Sequence, residues 1–166
     1  MQDNTDMAPF EDLVKIVREH CSNGDIVIEE KMTPKGVRIP VQDLKNVCVN
    51  LHRNPAVFFD MLSCISAVDN GPEAGTLELI YNLYSIPFNH HLALKVIVPR
   101  TQAEVDTVED VWKTANWHER EAYDMFGVTF KGHPDLRRIL LPADWDGHPL
   151  RKDYQQQEYY RGVKVD

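Results

Sequence analysis

Cysteine is scarce and unpaired here: Cys21, Cys48 and Cys64 are an odd set with no Cys-x-x-Cys spacing. Neither a disulfide framework nor a zinc or iron–sulfur site is therefore indicated, and a reducing compartment is the natural home. No apolar run approaches the ~20 residues that a spanning helix needs. The first residues, MQDNTDM, are acidic and lack a signal-peptide hydrophobic stretch. The expectation is a chain that neither crosses a membrane nor is exported. Positive charge is also in deficit, with 18 Lys and Arg against 26 Asp and Glu and a net charge of -8. Such a surface repels a phosphate backbone, so nucleic acid is not an expected partner.

What remains is a chain of 166 residues, enough for one domain with a real core and too short for two comfortable ones. The acidity lies in residues 1–116, with 10 basic and 17 acidic side chains, whereas 117–166 carry 8 and 9. After a polar tail over 1–7, Phe10, Leu13, Val14, Ile16 and Val17 recur near helical spacing before Asn23-Gly24. Residues 26–32 read as a strand, Pro34-Lys35-Gly36 as a turn, and Ile39 to Arg53 as a helix with Val41, Leu44, Val47, Cys48 and Leu51 on one face. Residues 58–69 read as a strand followed by a turn over 70–75. TLELIYNLYSI and HHLALKVIVP, separated by PFN, predict an antiparallel hairpin. Alternation puts Leu77, Leu79, Tyr81 and Leu83 on one face, with Leu92, Leu94, Val96 and Val98 to pack beside them. Thr101 with Glu104 and Thr107 with Asp110 have capping-box spacing, the second predicting a short helix through Trp112. The expected fold is α+β: a mainly antiparallel sheet with helices packed against it over 8–116, followed over 117–166 by a helix and an extended C-terminal arm.

From Trp117 the text changes to WHEREAYDMFGVTFKGHPDLRRILLPADWDGHPLRKDY. A helix here sets Arg120 and Asp124 at i and i+4, likewise Glu119 and Tyr123, and ends in a left-handed cap at Gly127. Gly-His-Pro occurs twice, and the pair His133 and His148 raises the question of a metal or catalytic site. Two imidazoles without a third convergent ligand do not meet a metal's needs. The alternative is two similar turns, with Gly132 and Gly147 allowing unusual backbone angles and Pro134 and Pro149 pushing each histidine towards extended geometry. HEREAYD lacks the second histidine of a zinc-protease helix, since position 122 is alanine. Glu119 and Glu121 are two apart and point to different sides, which opposes an acid–base pair and favours ion pairing or an interface. Arg137, Arg138, Arg151 and Lys152 form either a solvated basic face or, with Trp145 and Tyr154, a docking surface. Arg138 to Pro142 is either a buried edge strand or an extended arm ordered by a partner.

These residues carry a family resemblance. Glu119-Arg120-Glu121, then Tyr123 to Gly127, Gly132 to Pro142, Asp144-Trp145 and Gly147 to Tyr154 closely resemble the 30 kDa subunit family of the proton-pumping NADH:quinone oxidoreductase, respiratory complex I. Departures are Gln155-Gln156-Gln157, where many members have proline, and the end at Asp166, unlike the version fused to the large quinone-site subunit. The resemblance implies a non-catalytic subunit of the peripheral arm, on the cytoplasmic side of the bacterial inner membrane. It implies no cofactor in this chain, in a complex that uses NADH, FMN, iron–sulfur clusters and quinone. Its partners would be the large quinone-site subunit and other peripheral-arm subunits, with membrane contact only through them. Glu119, Arg120, Glu121, Asp124, His133, Arg137, Arg138, Trp145, His148, Arg151, Lys152 and Tyr154 are the expected interface residues. The rivals are the equivalent subunit of a membrane-bound hydrogenase or non-NADH respiratory complex, and a metal-dependent hydrolase using His118, His133 and His148.

Overall fold

The computed structural model describes residues 8–165; the tail expected over 1–7 lies outside them. Helix α1 (Phe10–Glu19) follows Pro9 and buries Leu13, Val14 and Val17 on the face that the spacing predicts. Strands β1 (Val27–Glu29) and β2 (Gly36–Arg38) form a small antiparallel hairpin. The strand expected over 26–32 is thus shorter. Gly36, read as the end of a turn, instead opens β2, because its main chain enters the sheet beside Ala93.

Helix α2 runs from Leu44 to Arg53 with Leu44, Val47, Cys48 and Leu51 buried. Its expected start at Ile39 is not observed: Pro40 is extended and Val41–Asp43 makes a single tight turn first. Asn54 ends α2 in extended geometry, accommodating the Pro55 that follows. Strand β3 (Met61–Asp69) begins three residues later than expected. β4 (Thr76–Ser85) and β5 (His90–Pro99) form the predicted hairpin, with Leu77, Leu79, Tyr81 and Leu83 opposite Val98, Val96, Leu94 and Leu92. All eight are buried, and each fully buried leucine contributes roughly 2 kcal/mol to holding the sheet on its helices.

The five-stranded sheet has the order β1-β2-β5-β4-β3 and is antiparallel except where β2 meets β5. The core residues of α1 and α2 meet the inward positions of this sheet in one hydrophobic cluster, while Glu78, Ile80, Asn82 and Tyr84 are half-exposed on its other face. The chain has the expected α+β class.

Strand β6 (Glu104–Asp106) pairs in parallel with β7 (Thr129–Lys131), a ladder that the residue pattern does not predict. Between them lies α3 (Ala115–Phe126), two residues earlier at its start than Trp117. Neither expected capping box is observed. Thr101 lies in a single turn, Arg100–Gln102, and residues 107–114 contain turns but no helix through Trp112. Ala115, Ala122, Val128 and Phe130 share the core with α1, α2 and the sheet, so the packed body continues past residue 116. A two-residue hairpin, β8 (Tyr159–Tyr160) with β9 (Val163–Lys164), follows the three glutamines.

Candidate functional site

The signature segment is a helix with a strap laid over it. α3 ends at Gly127, whose φ of 71° is left-handed, and whose amide donates to Tyr123 O at 2.9 Å. A Cβ at Gly127 would meet His148 Nε2 at 2.5 Å, so glycine meets both the backbone and the space requirement.

The last carbonyls of a helix have no intrahelical donors. Here the second Gly-His-Pro turn, with Leu150 and Arg151 after it, supplies them. His148 Nδ1 donates to Asp124 O at 3.0 Å, the Leu150 amide to Met125 O at 3.2 Å, and Arg151 Nε to Phe126 O at 2.7 Å. Because a carbonyl only accepts, His148 carries its proton on Nδ1. Burial, with Arg138 and Arg151 nearby, pulls its pKa below the ordinary value despite that bond. The two guanidinium groups also suit the negative end of the helix dipole.

The first copy touches α3 near its start, where it meets the carbonyl of Asn116. The Asp135 amide donates to His133 Nδ1 at 3.0 Å, which leaves Nε2 to donate to Asn116 O at 3.2 Å. The His133 side chain is fully enclosed, with Nε2 4.0 Å from Glu119 Oε2. Gly132 and Gly147 have φ of 80° and 76°, as two similar turns require. Each imidazole is thus engaged by main chain, and among the described residues no three metal-ligating side chains converge.

Asp124 organises the strap between the turns. It is 0 % exposed; its Oδ1 accepts from Arg138 Nη1 at 2.8 Å, and its Oδ2 from the amides of Ile139, Leu140 and Leu141 at 2.9, 2.7 and 3.0 Å. Burial pushes its pKa up. The Leu141 amide, Arg138 and the amides of Leu140 and Ile139 outweigh burial and hold it below the ordinary value. Arg138 also donates to Asp124 O at 3.1 Å, Trp145 O at 3.1 Å and Gly147 O at 2.9 Å. The Arg138 to Pro142 run is therefore neither an edge strand nor free: its amides wrap a carboxylate.

The i,i+4 spacing of Arg120 and Asp124 does not produce a pair, because the strap provides each with another partner. Arg120 Nε donates to Arg137 O at 3.2 Å, and its guanidinium lies 4.9 Å from the Trp117 ring centroid. Glu119 is enclosed, accepting from Thr107 Oγ1 and, at 2.8 Å, from the Val108 amide. Burial raises its pKa to about 7 against the pull of those two bonds. Glu119 and Asp124 are thus turned inward, as the strap and the 107–108 turn cover that side of α3.

Outward groups are fewer. Glu121 and Lys152 are exposed, and among the described residues Arg137 pairs only with exposed Asp135, at 3.0 Å. Trp145 Nε1 donates to Tyr154 OH at 3.0 Å, and its ring lies 5.2 Å from that of Tyr160.

Sequence reasoning missed a second anchor. Buried Asp69 accepts from Arg100 Nε and Nη2 at 2.7 and 3.0 Å, from the Gly71 amide at 3.0 Å and from the Lys152 amide at 2.8 Å. Arg100 also pairs with Asp153. Asp69 and Arg100 stand in unremarkable strand-end positions, so no local pattern marks them; Thr107 resembles a cap for the same reason, its true partner lying elsewhere in the chain.

A family model described as respiratory-chain NADH dehydrogenase, 30 Kd subunit, matches residues 37–160. The C subunit of the NADH-quinone oxidoreductase of Chloroherpeton thalassium is 38% identical over 169 residues, covering 99% of this chain and 69% of that protein. That of Geotalea uraniireducens is 39% identical over 161 residues, covering 95% and 97%. Among solved structures, the trypsin-resistant fragment of Nqo5 is similar with a TM-score of 0.62 and 29% identity, over 76% of this chain and 98% of the fragment. A chain of the membrane-bound sulfane sulfur reductase, an archaeal respiratory membrane complex, is similar with a TM-score of 0.70 and 25% identity, over 88% and 85%.

Proposed function

Because this chain belongs to the 30 kDa subunit family of respiratory-chain NADH dehydrogenase, we propose that its part in the peripheral arm of complex I is structural. It braces neighbouring subunits with the outward side of α3 and its strap, and carries no redox centre of its own. NADH, FMN, iron–sulfur clusters and quinone belong to the other subunits in this reading. The large quinone-site subunit is the principal partner, on the cytoplasmic side of the membrane, and any membrane contact passes through partners.

One observation carries the reading: a strap without helix or β ladder is fastened to α3 by Asp124, Arg138, His148 and Arg151. A segment held this firmly presents its outward groups in fixed positions, which lowers the ordering cost of association. Electron transfer needs centres held at fixed spacing, and a brace supplies that without chemistry. The likeness to a sulfane sulfur reductase chain shows the fold in another respiratory machine; the relatives named as NADH-quinone oxidoreductase subunits favour the NADH-linked complex.

The test separates anchor from surface. Charge reversal at Arg137, Arg137→Glu, is expected to weaken capture of the large subunit while the chain melts as the wild type does. Unchanged capture would remove Arg137 from the docking surface. NADH oxidation, or flavin or cluster absorbance, in the washed chain alone would overturn the brace reading altogether.

A further inference from the structure

A channel runs between α3 and the last strand of the sheet that the strap leaves open. Among the described residues β3 pairs with β4 only. Among the described residues, no group outside β4 hydrogen-bonds to the main chain of residues 63–68. The two ends of the strand are occupied: Thr114 Oγ1 donates to Leu62 O at 3.2 Å, and Asp69 is gripped by Arg100 and the Lys152 amide.

Between those ends the strand reads Ser63-Cys64-Ile65-Ser66-Ala67-Val68, without charge or proline. Edge strands of soluble proteins are ordinarily blunted by lysine, proline, a bulge or a cover, because unpaired amides and carbonyls template another strand. The irregularity in β3 falls between Leu62 and Cys64 and leaves the following residues regular. A bare edge of this composition is suited to being covered in an assembly.

The neighbouring groove, about 220 Å³, is lined by Ile65, Ser66 and Ala67 on one side and by Glu121, Ala122 and Phe126 of α3 with Leu150 on the other. Successive strand residues point to opposite faces. A groove touched by Ile65, Ser66 and Ala67 together therefore follows the backbone edge instead of lying over one face of the sheet. Leu150 is 54% exposed at its wall. Glu121 is the one charged group of the lining, is exposed, and takes part in none of the ion pairs among the described residues.

The geometry points to strand addition: an extended segment of a neighbouring subunit pairs with β3 along residues 63–68, with apolar side chains at alternate positions and a lysine or arginine meeting Glu121. Main-chain pairing supplies the affinity, and the apolar wall with its single carboxylate supplies the register. This inference rests on the subunit reading and adds to it a defined partner geometry.

The test is made in the assembled complex, with Ser66 replaced by photo-reactive p-benzoylphenylalanine, alone and together with Glu121→Lys. The expected result is a cross-link to one short extended segment of a neighbouring subunit that contains a lysine or arginine. The added Glu121→Lys should lower its yield about fivefold, the effect of one rim charge pair. A chain that co-purifies with the complex but cross-links to nothing, to a helix or to a second copy of itself overturns strand addition and leaves the subunit reading standing. A yield unchanged by Glu121→Lys overturns the basic residue. A wild-type chain that does not co-purify overturns the subunit reading itself.

Discussion

Arg138 reaches Asp124 from fourteen residues away and closes a loop on the carboxylate, which three consecutive amides of the same loop already contact. Neither residue is a surface charge: Asp124 is fully enclosed and the Arg138 side chain is 14% exposed. The two therefore act as the pin of the strap. Asp124→Asn leaves the guanidinium buried without its counter-charge, and breaking one side of a buried pair costs about 3–5 kcal/mol. Thermal denaturation should show a large fall in melting temperature, with faster proteolysis within residues 132–158. A variant as stable and as protease-resistant as the wild type would show that the pin is not needed.

Gly127 has a separate requirement for each of its two constraints. Gly127→Ala places a methyl group against His148 and strains a left-handed backbone, a cost of about 1–3 kcal/mol. His148→Ala removes the clash but not the strain. The double variant should therefore lose less stability than the sum of the singles, measured by urea unfolding; strict additivity would mean that the two side chains do not compete for that space.

Glu119 makes stability depend on pH near neutrality. Its folded-state pKa is raised to about 7, so the fold favours the protonated carboxyl. That contribution is fully present below the ordinary glutamate range and is lost as pH rises through about 7, up to about 3 kcal/mol in all. Asp69 and Asp124 act in the opposite sense. Their folded pKa values are lowered, so their contribution is present above the ordinary aspartate range and is lost as pH falls through the depressed values. Burial lowers the folded pKa of His90 and His148, so those rings gain stability as pH rises toward the ordinary histidine value and oppose Glu119. The Glu119 contribution is therefore read as the unfolding free energy of the wild type minus that of Glu119→Gln, a difference that should decline between pH 5.5 and 8. A difference that stays constant over that range would assign the pH dependence to other groups.

Neither histidine should respond to metal, and the two should differ in their response to removal. His133 is held through both ring nitrogens and His148 through Nδ1, so zinc or a chelator is expected to leave the melting temperature where it was. His133→Ala strips Asn116 O and the Asp135 amide of a partner at one end of α3, whereas His148→Ala uncovers Asp124 O at the other. Hydrogen exchange should accordingly rise near Asn116 in the first variant and near Asp124 in the second. Metal-induced stabilisation of either turn would contradict the assignment of these rings to main-chain carbonyls.

The β4–β5 register was legible because period-two alternation over ten residues admits one inward set, and the set Leu77, Leu79, Tyr81, Leu83 is apolar throughout. The cap at Gly127 and the two bends at Gly132 and Gly147 were legible for a local reason too, since positive φ selects glycine. The capping boxes at Thr101 and Thr107 misled because the same residue spacing serves a different bond: Thr107 turns to Glu119, twelve residues on, instead of to a helix amide. The β6–β7 ladder lay beyond reach because each strand is three residues long and too short to show a period.

The sequence by itself determined what depends on neighbours along the chain: the helix faces, the hairpin, the glycine-dependent bends and the run from Glu119 to Tyr154 that resembles the 30 kDa family. Only the tertiary structure decided which charges face inward. Asp124 finds Arg138, Asp69 finds Arg100 and the Lys152 amide, and Glu119 finds Thr107, each across a distance in sequence that no periodicity encodes. A carboxylate can be buried only where donors converge on it, and that convergence belongs to the folded chain.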